Sequence, residues 1–444
     1  MTTNTAHRTQ EAWQDTPGIP SRPDTSHWAR WLLCGGVFLS CFHLWRVGGV
    51  NLTFSDLLFS VVFVYFAYTH RLQPHPFAML SSVWVICLVA MLGGLLVSSL
   101  ANGDVLRWAV VAAQYLFSLL CLPMIFLGLS QRTLRQLVLI QIAGVTVIEA
   151  VGIGAYYLIG SSDAVNAIFG PDFLTGGRRL GSFVGDANWN GAIVAMTLPF
   201  VIYAVRTGLL GATKGLAVAA VLLWAVMLSA SFTAFAATAI AVAIAMVVGR
   251  SLPSVRVIIL FCAIVLALAA SGYRPPDIFE KRVAPALQSG SLDDAGTFGA
   301  RADLMQEAWL KAEDTTFVGL GADQYREFNS HGQPVHNMYL LLWTEGGFIT
   351  MLAWIFLMII LLLVPLSILR WHRLESALSL GILTVFLINT MASPHMYHRL
   401  WIVPVLLSIG IALRANTPAL LPSEYSLEPG EPAGIAPQPR RLPE

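Results

Sequence analysis

His336 and Asn337 stand together at the end of a long polar stretch and open an apolar run that reaches Glu345-Gly346-Gly347. Histidine is the side chain ready to move a proton near neutral pH. A second group reads Gly176-Gly177-Arg178-Arg179-Leu180-Gly181-Ser182-Phe183-Val184-Gly185-Asp186-Ala187-Asn188. The planar fork of arginine suits phosphate oxygens, and glycines allow close backbone approach. Arg301 opens a third group, which passes through Gly319-Leu320-Gly321 and Tyr325 to Pro334. Together these residue types can accept a proton and stabilise negative charge developing on an oxygen.

Each residue also has a plainer reading. His336 can satisfy helix-end groups at an interface. Arg178 and Arg179 can anchor to lipid headgroups, and Arg301 can pair with Asp303. Glu345 lies about two turns into a span, where an unpaired carboxylate is costly. It reads as support for Asn337 or an arginine, or as part of acceptor binding. Glu149, deep in the fifth span, is either functional or a buried contact between helices. His395, His398 and Arg399 cluster at a span end. His-x-x-His on a short turn, without a nearby carboxylate, is a weak metal pattern. Arg399, ahead of His398, reads instead as a second basic contact to substrate.

The elements that must position these residues are membrane helices. Of the 444 residues, 56% are hydrophobic and 11% charged, against about 25% charged in a soluble domain. The fold class expected is all-α and polytopic, with about twelve transmembrane helices. The net charge of +1 gives no nucleic-acid signal. All five cysteines fall in apolar stretches, which suggests neither a disulfide framework nor a zinc site. Spans are placed near 31–47, 53–69, 77–100, 105–129, 134–159, 190–205, 215–230, 232–249, 255–271, 337–364, 376–393 and 400–413. The run 215–249 is split at Ser229, Ser231 and Thr233.

With both termini in the cytoplasm, the inner connections carry Arg71, Arg132 with Arg135, Arg206 with Lys214, Arg250 with Arg256, Arg370 with Arg373, and Arg414. The short outer connections hold little beyond Arg46, Arg107 and Arg399. That asymmetry is the positive-inside pattern. Two long loops, about 160–189 and 272–336, then face outward, to the periplasm in a bacterium. In the second, Arg301 to Ala312 forms an amphipathic helix with Ala302, Met305, Trp309 and Ala312 on one face. Residues 1–30 and 414–444 read as disordered cytoplasmic tails flanking a catalytic membrane domain over 31–413.

At the polar residues the chain resembles the bacterial O-antigen ligase and polysaccharide polymerase superfamily. Three pieces match in order: Arg178, Gly181 and Phe183 with Asp186 and Asn188; Arg301 running to Gly319 and Gly321; and His336-Asn337 followed by Gly347 and Thr350. The likeness covers about residues 31–413. Where relatives often carry a Ser-Arg pair, this chain reads Ser231-Phe232-Thr233, so that arginine is missing or replaced. The resemblance implies transfer of a glycan from undecaprenyl diphosphate to an acceptor hydroxyl, on lipid A–core or a growing polysaccharide. It implies inversion, no metal and no cofactor. It places the chain in the inner membrane with the active site at the periplasmic face. The roles expected are catalytic for His336, Arg301 and Arg178, and substrate-binding for Arg179, Asn188, Asn337, Glu345, Arg399 and His398.

The sequence holds no Asp-x-Asp of the nucleotide-sugar kind, no phosphate loop and no His-Glu-x-x-His. A lipid-linked sugar transporter or flippase is the alternative, but the halves show no similarity and polar residues gather outside rather than at mid-membrane. A non-catalytic envelope scaffold is a third reading.

Overall fold

A computed structural model describes residues 26–47, 51–251, 276–290, 298–314, 316–329 and 332–415. The span expected at 255–271 and most of both tails lie outside these residues. The first helix starts at His27, inside the stretch expected as a tail.

Helices and strands are numbered here in chain order. The first half holds α1 (His27–Leu39), α2 (Phe54–Tyr68), α3 (Ser81–Asn102), α4 (Val105–Leu116), α5 (Leu122–Phe126) and α6 (Gln131–Leu158). Next come α7 (Ser162–Phe169), a hairpin of β1 (Leu174–Thr175) and β2 (Arg179–Leu180), then α8 (Ala187–Arg206), α9 (Ala212–Ser229) and α10 (Phe232–Val247). The second loop contains α11 (Asp277–Arg282), α12 (Ala284–Ser289), α13 (Phe298–Asp314) and α14 (Tyr325–Phe328). The chain closes with α15 (Met338–Gly346), α16 (Phe348–Ile368), α17 (Arg373–Thr390) and α18 (Arg399–Ala415).

Among the described residues, seven helices are long and apolar enough to cross a membrane. They are Ala78–Asn102, Val105–Phe126, Gln131–Leu158, Ala187–Arg206, Ala212–Ser229, Phe348–Ile368 and Arg373–Thr390. α2 and α10 are apolar but shorter. α8 is the most buried of the seven and packs against α6, α9, α10 and α17. Side chains such as Ile86 and Val89 on α3 point outward, as apolar residues can where the solvent is lipid.

Local chemistry sets the boundaries. Ser130 caps α6, Asp186 caps α8 and Ser231 caps α10, each accepting from backbone N–H groups of the first turn. The run 215–249 breaks where expected, at Ala230, whose φ of 45° ends α9.

Two expectations change. The span expected at 337–364 is two helices. Gly347, at φ 83°, separates α15 from α16, a conformation open to glycine and strained for other residues. Thr350 closes the kink by donating to Gly346 O at 2.6 Å. Glu345 therefore sits at the end of a short helix, not two turns into a span.

The amphipathic helix is present as α13, but it buries Leu304, Ala308 and Ala312. Ala302 and Trp309 are exposed. The i, i+4, i+8 stripe carries two alanines that let α13 pack closely on α15. Trp309 lies at the rim, edge-on to Trp343 at 5.3 Å.

Candidate active site

The stretch Gly319–Tyr325 is a docking segment, and its glycines are there for close approach. Gly319 N donates to Ser98 Oγ at 2.8 Å and Ala322 N to Ser99 Oγ at 2.9 Å, both on α3. Asn102 Nδ2 donates to Gly319 O at 3.0 Å. On the other side, Leu320 N and Gly321 N donate to the carbonyls of Thr344 and Glu345, each at 2.9 Å. A Cβ on Gly319 would lie 2.6 Å from Gly346 N. The Gly-x-Gly turn is thus wedged between α3 and α15, and every docking bond uses main-chain atoms of the segment.

Glu345 finishes this clamp. Its Oε2 accepts from Asp323 N at 2.8 Å and its Oε1 from Tyr325 N at 3.3 Å. Buried amides that would otherwise lack partners are satisfied by one buried carboxylate. The geometry gives Glu345 a loop-supporting role, by partners other than Asn337 or an arginine.

Asp323 is the hub beside it. Arg107 of α4 donates to its Oδ2 from Nε at 2.6 Å, and Arg326 of α14 from Nη2 at 2.7 Å. His395 Nε2 lies 3.6 Å from Oδ1. Burial alone would raise the Asp323 carboxyl, but His395, Arg107 and Arg326 together hold it below the ordinary aspartate value. Asp323 has φ 60° and His395 φ 37°, so both hold left-handed backbone at a cost of order 1 kcal/mol each. Ligand atoms of Asp323, Glu345 and His395 lie within 4.8 Å of one another. These are cation-ligand types, yet two guanidiniums already share Asp323 and amides take both Glu345 oxygens. A divalent cation there would meet the repulsion of two arginines, so the grouping is an ion-pair hub.

The adjacent arginines of the first loop part company. Arg178, at φ 64°, turns its guanidinium onto the end of α6, donating to the carbonyls of Tyr156, Ile159 and Gly160 at 2.5–2.9 Å. It also lies over the Tyr156 ring at 4.9 Å. This is a cation at a helix C-terminus. Arg179 donates from Nη2 to Asn188 Oδ1 at 2.7 Å and from Nε to Ser229 O at 2.9 Å. Two expected substrate-binding residues, Arg179 and Asn188, are thus brought together. They meet at the α9–α10 turn.

Arg399 is 3% exposed. Its Nε is ion-paired with Asp56 of α2. Its Nη2 donates to Gln114 Oε1 at 2.6 Å, and its Nη1 to Ser118 Oγ at 2.5 Å and Tyr397 O at 2.7 Å. Ser118 lies in a π-helical turn, Phe117–Cys121, that interrupts the span between α4 and α5. Expected as a contact to substrate, Arg399 spends its charge on this buried network, which ties α18 to α2 and α4. His398 is buried too, 4.4 Å ring to ring from His43 and 5.1 Å from Trp189.

A wall of packed rings joins these groups. Trp189 follows Asn188 and meets His398; Tyr397 lies 4.7 Å from His398 and 5.1 Å from Tyr115. Tyr115 Oη donates to Met338 Sδ at 3.6 Å. Met338 opens α15, capped by Asn337, whose Oδ1 accepts from Tyr339 N at 3.0 Å and Leu340 N at 3.1 Å. His336 directly precedes that cap and is partly exposed. Arg301 lies in α13, with its side chain outside the described residues. Glu149 accepts from Asn190 Nδ2 at 3.1 Å, a buried contact between α6 and α8.

Sequence reasoning missed Asp323, Arg326 and Asp56, and gave Arg107 only as an outer charge. For Asp56 a signal existed, since an ionisable residue in an apolar helix seeks a partner. Nothing local pointed to Asp323.

Residues 217–355 match a family described as O-Antigen ligase. The matched stretch contains Arg301, the Gly319–Gly321 turn, His336-Asn337 and the Gly347–Thr350 kink, and it supports the resemblance to the O-antigen ligase superfamily. No curated protein matches the chain.

Proposed function

We propose that this chain is a membrane glycosyltransferase of O-antigen ligase type. It transfers a glycan from undecaprenyl diphosphate to an acceptor hydroxyl at the periplasmic face of the inner membrane. The acceptor is lipid A–core or the end of a growing polysaccharide. The observation that carries this reading is the O-Antigen ligase match over 217–355, because it spans the docked loop and the His-Asn pair. The several apolar helices agree with a lipid-borne substrate.

In the proposed step the acceptor hydroxyl gives its proton to His336 as its oxygen bonds to the anomeric carbon. The bond from that carbon to the diphosphate oxygen breaks, and polyprenyl diphosphate leaves with the electron pair. General base catalysis of this kind contributes about 10²–10⁴-fold. The leaving diphosphate needs cations, and Arg179 and Arg301 are assigned to it. Arg178 supports them from the end of α6, since its donors already hold that helix.

The test is electrophoresis of lipopolysaccharide and lipid-linked glycan from a deletion strain complemented with wild type or His336→Ala. Bare core with glycan stranded on its carrier assigns ligation. Core bearing a single repeat, or loss of a secreted polymer, assigns polymerisation. No change in either profile overturns the enzyme reading.

A further inference from the structure

A cavity of about 470 Å³ opens where three pieces of chain meet. The last turn of α6 gives it Tyr156 and Tyr157, the β1–β2 turn gives Arg178, and α11 gives Asp277 and Lys281. The volume lies in the range of about 300–1,000 Å³ usual for small-molecule sites. The apolar side of α11 holds that helix in place. A Cβ on Gly177 of the hairpin turn would lie 3.1 Å from Ile278 Cδ1. Phe279 meets Phe235 of α10 at 5.5 Å between ring centroids, and α11 packs on α9. Ile278 and Phe279 are buried, whereas Asp277 and Lys281 are exposed.

Two cations and one carboxylate line the cavity. Arg178 gives its hydrogen bonds to three neutral carbonyls. Asp277 and Lys281 stand at i and i+4, close enough to pair on a helix. Among the described residues, neither side chain has an ion-pair partner. The depth of the cavity points to lipid. α6 is long and apolar enough to cross a membrane and ends at Leu158. Tyr156 and Tyr157 lie in its last turn, and tyrosine is enriched where a span meets lipid headgroups. Val147, Val151 and Leu158, at i, i+4 and i+11, are exposed on one face of α6. That face offers an acyl chain an apolar track below the cavity.

We propose that this cavity binds the headgroup of a zwitterionic phospholipid with a primary ammonium, of the phosphatidylethanolamine class. Asp277 accepts hydrogen bonds from the ammonium, and Lys281, backed by the charge of Arg178, takes the phosphodiester. The match is one of charge pattern. A diphosphate brings more negative charge and no ammonium, so Asp277 repels it. A choline headgroup has no N–H to give to Asp277. A sugar would stack on an open tyrosine face, but Arg178 covers Tyr156 at 4.9 Å and Tyr157 meets that ring edge-on at 5.1 Å. Neither Asp277 nor Lys281 takes part in the transfer proposed above, so lipid binding and transfer can fail separately.

The test is native mass spectrometry of the purified full chain in neutral detergent. Phosphatidylethanolamine, phosphatidylglycerol and phosphatidylcholine of the same acyl chains are added at equal concentration. Wild type is expected to retain one phosphatidylethanolamine with a Kd about tenfold below that for either other lipid, the scale of one charge-assisted bond. Asp277→Asn is expected to abolish that preference, and Lys281→Gln to weaken phosphatidylethanolamine and phosphatidylglycerol alike. Both side chains are exposed and unpaired among the described residues, so both variants are expected to melt as wild type does by circular dichroism. Equal retention of the three lipids by wild type overturns the site. So does an unchanged preference in Asp277→Asn. Release of the bound lipid by a soluble lipopolysaccharide core oligosaccharide gives the cavity to a glycan and overturns the lipid assignment.

Discussion

Gly103 and Gly321 meet backbone to backbone. A Cβ on Gly321 would lie 2.9 Å from the Cα of Gly103, and a Cβ on Gly103 would lie 3.0 Å from the Cα of Gly321. Gly103 ends α3 and Gly321 lies in the docked turn at φ 100°. The loop that carries Gly321 is therefore seated on the end of α3 through bare main chain.

Gly321→Ala is expected to unseat that turn. Alanine cannot relax at this φ and also meets Gly103, at a cost of about 1–3 kcal/mol. The melting temperature falls and glycan transfer falls with it, while Gly332→Ala, with open space around it at φ 63°, unseats nothing. Transfer by Gly321→Ala at the wild-type level would show that the docked turn does not position the chemistry.

Asp56→Ala leaves Arg399 buried without its counter-ion. Removing one partner of a buried pair costs about 3–5 kcal/mol, so this variant is expected to express poorly or melt far below wild type. Asp56→Ala with Arg399→Met is expected to recover part of the loss, because no orphan charge remains. Melting curves of the single and double variants decide it; a double variant no better than the single one removes the ion pair as the cause.

Arg178 and Arg179 are adjacent in sequence and are expected to fail differently. Arg178→Gln strips cationic bonds from the end of α6 and lowers stability, by about 1–2 kcal/mol. Arg179→Gln leaves the melt closer to wild type and lowers kcat, because that arginine is assigned to the leaving diphosphate. Kinetics and melts on the same preparations separate the two. Equal stability losses with equal kcat would put both arginines in one structural role.

Acid should loosen the Asp323 hub. The folded carboxyl is held below its ordinary value, near 3.9 in an unfolded chain. Its stabilisation is therefore fully present above about pH 3.9 and is lost as pH falls through the lower folded value. Wild type is expected to melt above Asp323→Asn at pH 6 and to converge on it in strong acid. A gap that stays constant down to the lowest pH would exclude ionised Asp323 as its source.

The sequence by itself marked the apolar runs, and among the described residues seven helices are long and apolar enough to cross a membrane. Long apolar runs and the caps at Ser130, Asp186 and Ser231 follow from local physics, burial and orphan backbone groups, whereas the left-handed φ at Ala230, which local sterics disfavour in alanine, does not. The sequence also marked the residue groups 178–188, 319–321 and 336–350, whose spacing reflects local turns. Only the tertiary structure decided partners. Asp323 gathers Arg107 and His395 from residues 216 and 72 positions away, and Asp56 finds Arg399 across 343 positions. It also decided that Arg178 closes a helix while Arg179 joins Asn188, and that α13 buries Leu304 rather than Trp309. Periodicity fixes which residues share a face. The neighbour offered to that face, and the pairing of charges that cannot stay alone in a low-dielectric interior, are set by packing between segments far apart in the chain.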